Sequence, residues 1–407
     1  MTKLSTKIIF LEFLKLGLYS FGGPTAHIGY FRQKFILKEK WLTENQFMEI
    51  ISICQFLPGP TSSQIGYTIG LLKGGSKGGI AAWLGFTLPS ALIMIFGALF
   101  LIELATLLRK EILYGLLQGL ASVAIPVVAI ALLTMQKMFC FSFQRILIAL
   151  LTSALLFLIE FPMEQIFVIS LAFILGIFLK LGSEDVEKIE YLQNEKGKIF
   201  LIALLLFLSS FVLLVILPIS IPNEQNHAWH VLRSFYQSGA LVFGGGHVVL
   251  PLLEKEFVQT GFISQDTFVG GYGLAQGLPG PLFSFGAYLG TILGMASENY
   301  LVGISFGLIC LVMIFLPGLV LIPIVLNYWQ SIKTVAWLRN GLGGVNSSVV
   351  GLLFYTFITP MLMSYLANPR GLILVFLSCL LVFFSKMPIW LIVVIMGPIG
   401  LTIYSFY

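Results

Sequence analysis

The stretch QFLPGP, Gln55 to Pro60, returns in the later half of the chain as QGLPGP, Gln276 to Pro281. Proline removes a backbone donor and glycine frees the chain to turn, so each copy ends one helix and starts another. The surroundings are too apolar for surface loops. The chain is 58% hydrophobic and 10% charged, with mean hydropathy +0.98. Runs long enough to cross a bilayer lie at 79–107, 112–135, 163–180, 199–217, 300–328, 341–363 and 388–405, with tighter candidates at 146–161 and 371–385. Barrel strands would instead be short and alternating, so the expected fold is an all-α polytopic membrane protein. The basic, apolar N-terminus has no small-residue cleavage site and reads as mature chain. Cys54, Cys140, Cys310 and Cys379 have no C-x-x-C spacing and read as buried free thiols.

Working outward from the repeated hexapeptide, Phe21-Gly22-Gly23-Pro24 matches Phe243-Gly244-Gly245-Gly246 at nearly the same offset. Phe35-Ile36 pairs with Phe257-Val258, Leu42-Thr43 with Ile263-Ser264, Ser63 with Ser284, Tyr67 with Tyr288, and Leu88-Pro89 with Leu316-Pro317. Matches kept in order imply internal duplication. The expected organisation is a repeat at 1–180, a polar linker plus one extra crossing at 181–228, and a second repeat at 229–407. One extra crossing inverts the second repeat relative to the first. With the motif segments as re-entrant hairpins, that topology places 17 of the 23 Lys and Arg on the cytoplasmic side, as the positive-inside rule requires. Lys73 and Lys77 fall in a cytoplasmic turn in this scheme.

The segments flanking the motifs, about 4–20, 25–38, 43–56 and 61–72, are short and Gly/Pro-interrupted in both repeats. Paired broken helices are the sequence pointer to a transporter's binding site, because non-helical backbone at membrane depth must be satisfied by protein or line a watery cavity. Each new helix start offers N–H groups without intrahelical partners and a partial positive charge, which attracts anions. The candidate binding residues are therefore Gly22, Gly23, Pro24, Thr25 and His27 at the first break, and Pro58, Gly59, Pro60, Thr61, Ser62 and Ser63 at the second. Their counterparts are Gly244, Gly245, Gly246 and His247, then Pro279, Gly280, Pro281 and Ser284. Gln55 and Gln276, one turn before each Pro-Gly-Pro, add neutral donors and acceptors. Lys15, midway along the first short helix, is costly in hydrocarbon unless it snorkels or faces the cavity. The hydroxyl-rich TSS against LFS leads to the expectation that the first repeat contributes more contacts. Packing, capping or interhelical bonding would also account for these residues singly; the repetition favours binding. Glu49 and Glu103 lie near span ends and are expected to be solvated.

FGGPTAHIGYFRQKF, QFLPGPTSSQIGYTIG, VFGGGHVVLPLLEKEF and GLAQGLPGPLFSFGAYLG together resemble the chromate ion transporter family in its long, two-domain form, over about residues 8–400. The resemblance implies a multi-pass protein of the bacterial inner membrane that exports chromate, with sulfate as inhibitor or exchange partner. Its FGGP and PGP motifs map onto Phe21–Pro24 and Pro58–Pro60, and onto Phe243–Gly246 and Pro279–Pro281. A sulfate transporter, or a channel of the same architecture, is the alternative. No P-loop, H-E-x-x-H or G-x-S-x-G pattern is present, and the two aspartates, Asp185 and Asp266, fall in polar turns, so neither a built-in motor nor an enzyme is expected. The expected partners are a small inorganic oxyanion (chromate or sulfate) and the lipid bilayer, with a homodimer allowed, and no nucleic acid, cofactor or metal.

Overall fold

Ser5 opens the first helix, α1 (Thr6–Tyr19), by accepting a hydrogen bond from the Ile8 N–H. The computed structural model describes residues 4–158, 164–182, 205, 209, 227–243, 246–332, 335–366, 368–385 and 387–405. All of the expected extra crossing at 199–217 but residues 205 and 209, and nearly all of the polar linker, lie outside them. After α1 come α2 (Gly23–Phe31), a π-helical turn over Arg32–Lys38, α3 (Glu44–Phe56), α4 (Thr61–Leu107), α5 (Lys110–Phe139), α6 (Phe143–Leu158) and α7 (Glu164–Phe178). The later stretch holds α8 (His227–Leu241), α9 (Val249–Phe257), α10 (Gln265–Gln276), α11 (Phe285–Gly294), α12 (Tyr300–Ile332) and α13 (Ala336–Thr356). A π turn and the short α14 (Met363–Leu366) lead to α15 (Pro369–Phe384) and α16 (Ile389–Ser405). The described residues form no strand.

Length alone makes α4 a 47-residue helix, but it is a hairpin. Residues eight apart in an unbroken helix lie about 12 Å apart, yet a methyl group on Gly70 would collide with the Gly78 carbonyl oxygen. The reversal occurs at Gly74 and Gly75, whose backbone leaves the helical region. Lys73, expected in an exposed turn, is instead largely buried just before it.

The membrane reading follows from what the bundle leaves outside. Phe96, Phe143 and Phe384 are 64%, 78% and 85% exposed, which water would penalise and lipid does not. The Thr61–Leu107, Glu111–Phe139, Tyr300–Trp329 and Ala336–Thr359 segments are long and apolar enough to span. Where helices meet, small residues let backbones approach; a methyl group on Gly344 of α13 would collide with the Ala172 carbonyl oxygen of α7.

Two expectations need correction. Glu49 is not solvated but almost fully buried on α3, further along the helix than the capping box that Thr43 and Gln46 build at its start. Asp266 lies in the first turn of α10, not a loop, and accepts a hydrogen bond from Gln118 Nε2 at 2.6 Å. Arg145, one of the residues that the inverted topology counts on the cytoplasmic side, is buried and donates to the carbonyls of Phe139 and Leu181, at and beyond the last turns of α5 and α7.

Candidate functional site

The four helix breaks converge on one cavity of about 230 Å³. That is smaller than the ~300–1,000 Å³ of drug-sized sites, and suits a small ion. From the first break it takes Gly22, Gly23, Pro24 and Ile28, and from the second Gln55 and Thr61. Later in the chain His247, Ala275, Gln276, Leu278, Gly280 and Leu282 line it. The remaining wall is α5, from Val127 through Thr134 and Met138 to Phe139, with Ile389 at the start of α16. No charged side chain is among these lining residues.

Local backbone chemistry explains why the breaks sit there. Gly22 and Gly23 adopt φ of 99° and 74°, values that glycine reaches without the Cβ penalty. Pro24 then occupies the first turn of α2, where its missing N–H is no loss. At the second break α3 ends at Phe56, Gly59 turns at φ 120°, and α4 starts at Thr61. Gly280 makes the matching turn at φ 89°. There the chain passes through a 3-10 turn, Leu282–Ser284, before α11 begins. Gly246–Val248 is likewise a 3-10 turn ahead of α9.

The Pro-Gly-Pro turns are held from across the molecule. The Gly59 N–H donates to the Val242 carbonyl at 2.7 Å, and the Gly280 N–H donates to the Ser20 carbonyl at 2.9 Å. Ser20 and Val242 occupy the same place in their own motifs, each immediately before FGG and immediately after the helix that leads to it. These two N–H groups are engaged by protein. Pro58, Gly59, Pro60, Pro279 and Pro281 shape the floor of the site without being among its lining residues.

The side chains singled out by sequence divide accordingly. Gln55, Thr61, His247 and Gln276 reach the cavity. Ser62, Ser63 and Ser284 are buried and do not line it, and the Ser284 hydroxyl donates back to the Pro281 carbonyl at 2.9 Å. His27 is also buried outside the lining, its Nε2 3.1 Å from the Ser20 carbonyl and its ring edge-on to Phe86. Lys15 is 62% exposed and paired to Glu12 at 2.7 Å, so it does not line the cavity. Gly244 and Gly245 lie outside the described residues, as does the Thr25 side chain.

Sequence reasoning missed several contributors. Tyr272, fully buried on α10, places its hydroxyl 2.7 Å from His247 Nδ1; its position one helical turn before Gln276 was the available signal. Thr134 and Met135 on α5 belong to a run read only as a membrane span. Gln64 donates to the carbonyls of Pro58 at 2.8 Å and Gly318 at 3.1 Å, fastening the first turn to α12. Glu12 was missed as well; it meets both Lys15 and Lys34.

Broken helices that bring a few neutral polar side chains to one cavity inside an apolar bundle define a multi-pass helical membrane protein with the build of a small-solute transporter. The chain belongs to the chromate transporter family, which it matches over residues 8–177 and 229–401. It is 26% identical over 354 residues to a chromate transport protein of Pseudomonas aeruginosa, covering 85% of this chain and 78% of that one. To a chromate transport protein of Cupriavidus metallidurans it is 22% identical over 402 residues, covering 97% and 92%. An uncharacterized transporter of Methanocaldococcus jannaschii is 26% identical over 349 residues, covering 85% and 82%. No solved structure matches the chain.

Proposed function

We propose that this protein carries chromate, or a similar tetrahedral dianion such as sulfate, out of the cytoplasm across a bacterial inner membrane, and that it is not an enzyme. The observation that carries the reading is the cavity to which both FGG and both Pro-Gly-Pro regions come, in a chain whose relatives include proteins named for chromate transport. Its lining supplies two amides, two hydroxyls, an imidazole and the starts of α2 and α4. Neutral donors at a helix start hold an oxyanion without the tight pairing that would slow its release.

Two inverted repeats rocking about this cavity give alternating access. The reciprocal hydrogen bonds of Gly59 and Gly280 support the duplication. So do two turn bonds of the same span to the paired phenylalanines, Trp41 N–H to the Phe35 carbonyl at 2.7 Å and Ile263 N–H to the Phe257 carbonyl at 2.9 Å. A dianion leaving a cell with a membrane potential of about 100 mV, inside negative, gains about 4.6 kcal/mol, enough for a gradient of roughly a thousandfold without ATP.

The test is labelled chromate flux in proteoliposomes under an imposed potential, with sulfate and molybdate as competitors. Potential-driven chromate flux blocked by sulfate is expected. Sulfate flux without chromate flux replaces the substrate, currents beyond carrier rates indicate a channel, and no anion flux from folded protein removes the reading.

A further inference from the structure

The imidazole of His247 has two nitrogens with different surroundings. Nδ1 lies 2.7 Å from the Tyr272 hydroxyl and 3.5 Å from the Gln276 amide nitrogen. An amide NH₂ only donates, so Nδ1 facing it accepts. The Tyr272 hydroxyl faces Nδ1 directly. It sits on a fully buried ring, packed edge-on against Phe285 at 5.7 Å, and has little freedom to turn elsewhere. Facing a nitrogen that accepts, it donates, so phenol and amide both direct their protons at Nδ1 of the imidazole. With Nδ1 accepting, a neutral imidazole carries its proton on Nε2. Nε2 makes no hydrogen bond with any described residue, and the ring lines the cavity.

We propose that Tyr272 is a positioning residue that holds His247 in the Nε2–H tautomer, so that the later half of the chain gives the bound oxyanion a neutral, preoriented N–H donor. The inference rests on the oxyanion reading of this cavity and goes beyond it by assigning the donor atom and the residue that sets it. A neutral donor strengthens binding through a charge-assisted hydrogen bond yet leaves no fixed cation to trap a dianion. The His247 donor and the amide of Gln55, on the earlier half, line the same cavity, so one tetrahedral ion meets donors from both.

Two measurements test this. In proteoliposomes, Tyr272→Phe is expected to raise the half-saturation concentration for chromate or sulfate about tenfold, the factor one charge-assisted hydrogen bond supplies, with a much smaller change in maximal flux. His247→Asn should raise it similarly, and adding Tyr272→Phe to His247→Asn should add nothing, because the phenol acts through the imidazole. Additive effects, or a Phe variant that loses maximal flux at unchanged half-saturation, overturn the proposal. The second measurement is ¹⁵N NMR of histidine-labelled protein, tractable with four histidines. The signal absent from His247→Asn is expected to show bare Nδ1 and protonated Nε2, and to shift toward a tautomer mixture in Tyr272→Phe while His27 stays put. An unmoved His247 signal refutes the tautomer assignment even where flux responds. Failure of the wild-type protein to move either anion would remove the oxyanion reading, whereas a wild type that transports while the Phe variant behaves identically removes this proposal alone.

Discussion

The two Pro-Gly-Pro turns share a sequence and a hydrogen bond but not a neighbourhood. Pro58-Gly59-Pro60 runs directly into α4 and is locked by Gln64, which reaches both the Pro58 carbonyl and Gly318 on α12. Pro279-Gly280-Pro281 runs into a 3-10 turn, and at the place of Gln64 it has Phe285. The polar side chains are reversed in the same sense. The earlier turn anchors itself with an amide and sends only Thr61 of its three hydroxyl residues to the cavity, while the later half sends His247 and Gln276, with the buried Tyr272 bonded to the imidazole behind them. The polar side chains that the first half brings to the cavity are Gln55, Thr61 and Thr134, set against His247 and Gln276 from the later half. The earlier turn is fastened to α12 by the Gln64 side chain, and the later half holds its imidazole against a phenol.

A second pair of positions carries the same lesson. Glu12 on α1 meets Lys34, and at the corresponding positions of the later half Ser234 donates to Glu256 at 2.7 Å. The contact persists with its charge changed from an ion pair to a carboxylate with a hydroxyl. Geometry, more than chemistry, is what the two halves hold in common.

Substitution at the turn glycines breaks the comparison most sharply. At either position a side chain in left-handed backbone costs about 1–3 kcal/mol. Gly59→Ala also drives a methyl group to 2.9 Å from Gly318 Cα, whereas at Gly280 the nearest atom is the Ser90 hydroxyl oxygen, at 3.0 Å. Flux is expected to vanish in Gly59→Ala and to be reduced but measurable in Gly280→Ala, with folding followed by size-exclusion profile. Equal loss would show that the two turns bear equal strain.

Gln64→Leu comes next. It strips two carbonyls of their donor, costing about 1–3 kcal/mol, against roughly 0.5–1.5 kcal/mol for the single bond lost in Ser284→Ala. Thermal unfolding in detergent should rank them in that order, and the reverse order would make the later turn the more firmly fastened of the two. Smaller again is the affinity contrast. Gln276→Leu should weaken chromate binding more than Gln55→Leu, because it also loosens His247, and competition by sulfate measures both. Lys15→Gln should be almost silent, within about 0.5 kcal/mol in stability; a large loss of flux would bring that exposed ammonium back into the transport path.

The helices that flank the breaks are legible in the sequence, since each has its own punctuation. Thr43 and Ser264, paired between the two halves, both cap the helix that leads into a Pro-Gly-Pro, and the segment expected at 43–56 is α3, Glu44–Phe56. The burial of Glu49 was not legible, because a carboxylate near a span end is indistinguishable from a solvated one until its neighbours are placed. Nor was Tyr272, a single phenol in a Gly-rich stretch whose partner, His247, belongs to a different helix break.

Composition and the order of the motifs by themselves determined that this is a helical membrane protein with interrupted helices, because hydrocarbon admits no unsatisfied backbone and Pro-Gly-Pro cannot continue a helix. Only the tertiary structure decided which groups meet. It spent the N–H groups of Gly59 and Gly280 on carbonyls across the molecule, buried His27, Ser62 and Ser63 outside the cavity lining, and brought α5 to the cavity and Tyr272 to His247. A helix pattern specifies which face is apolar, but the partner of a donor is set by distances of about 3 Å between segments far apart in sequence, and those exist only once the bundle has closed.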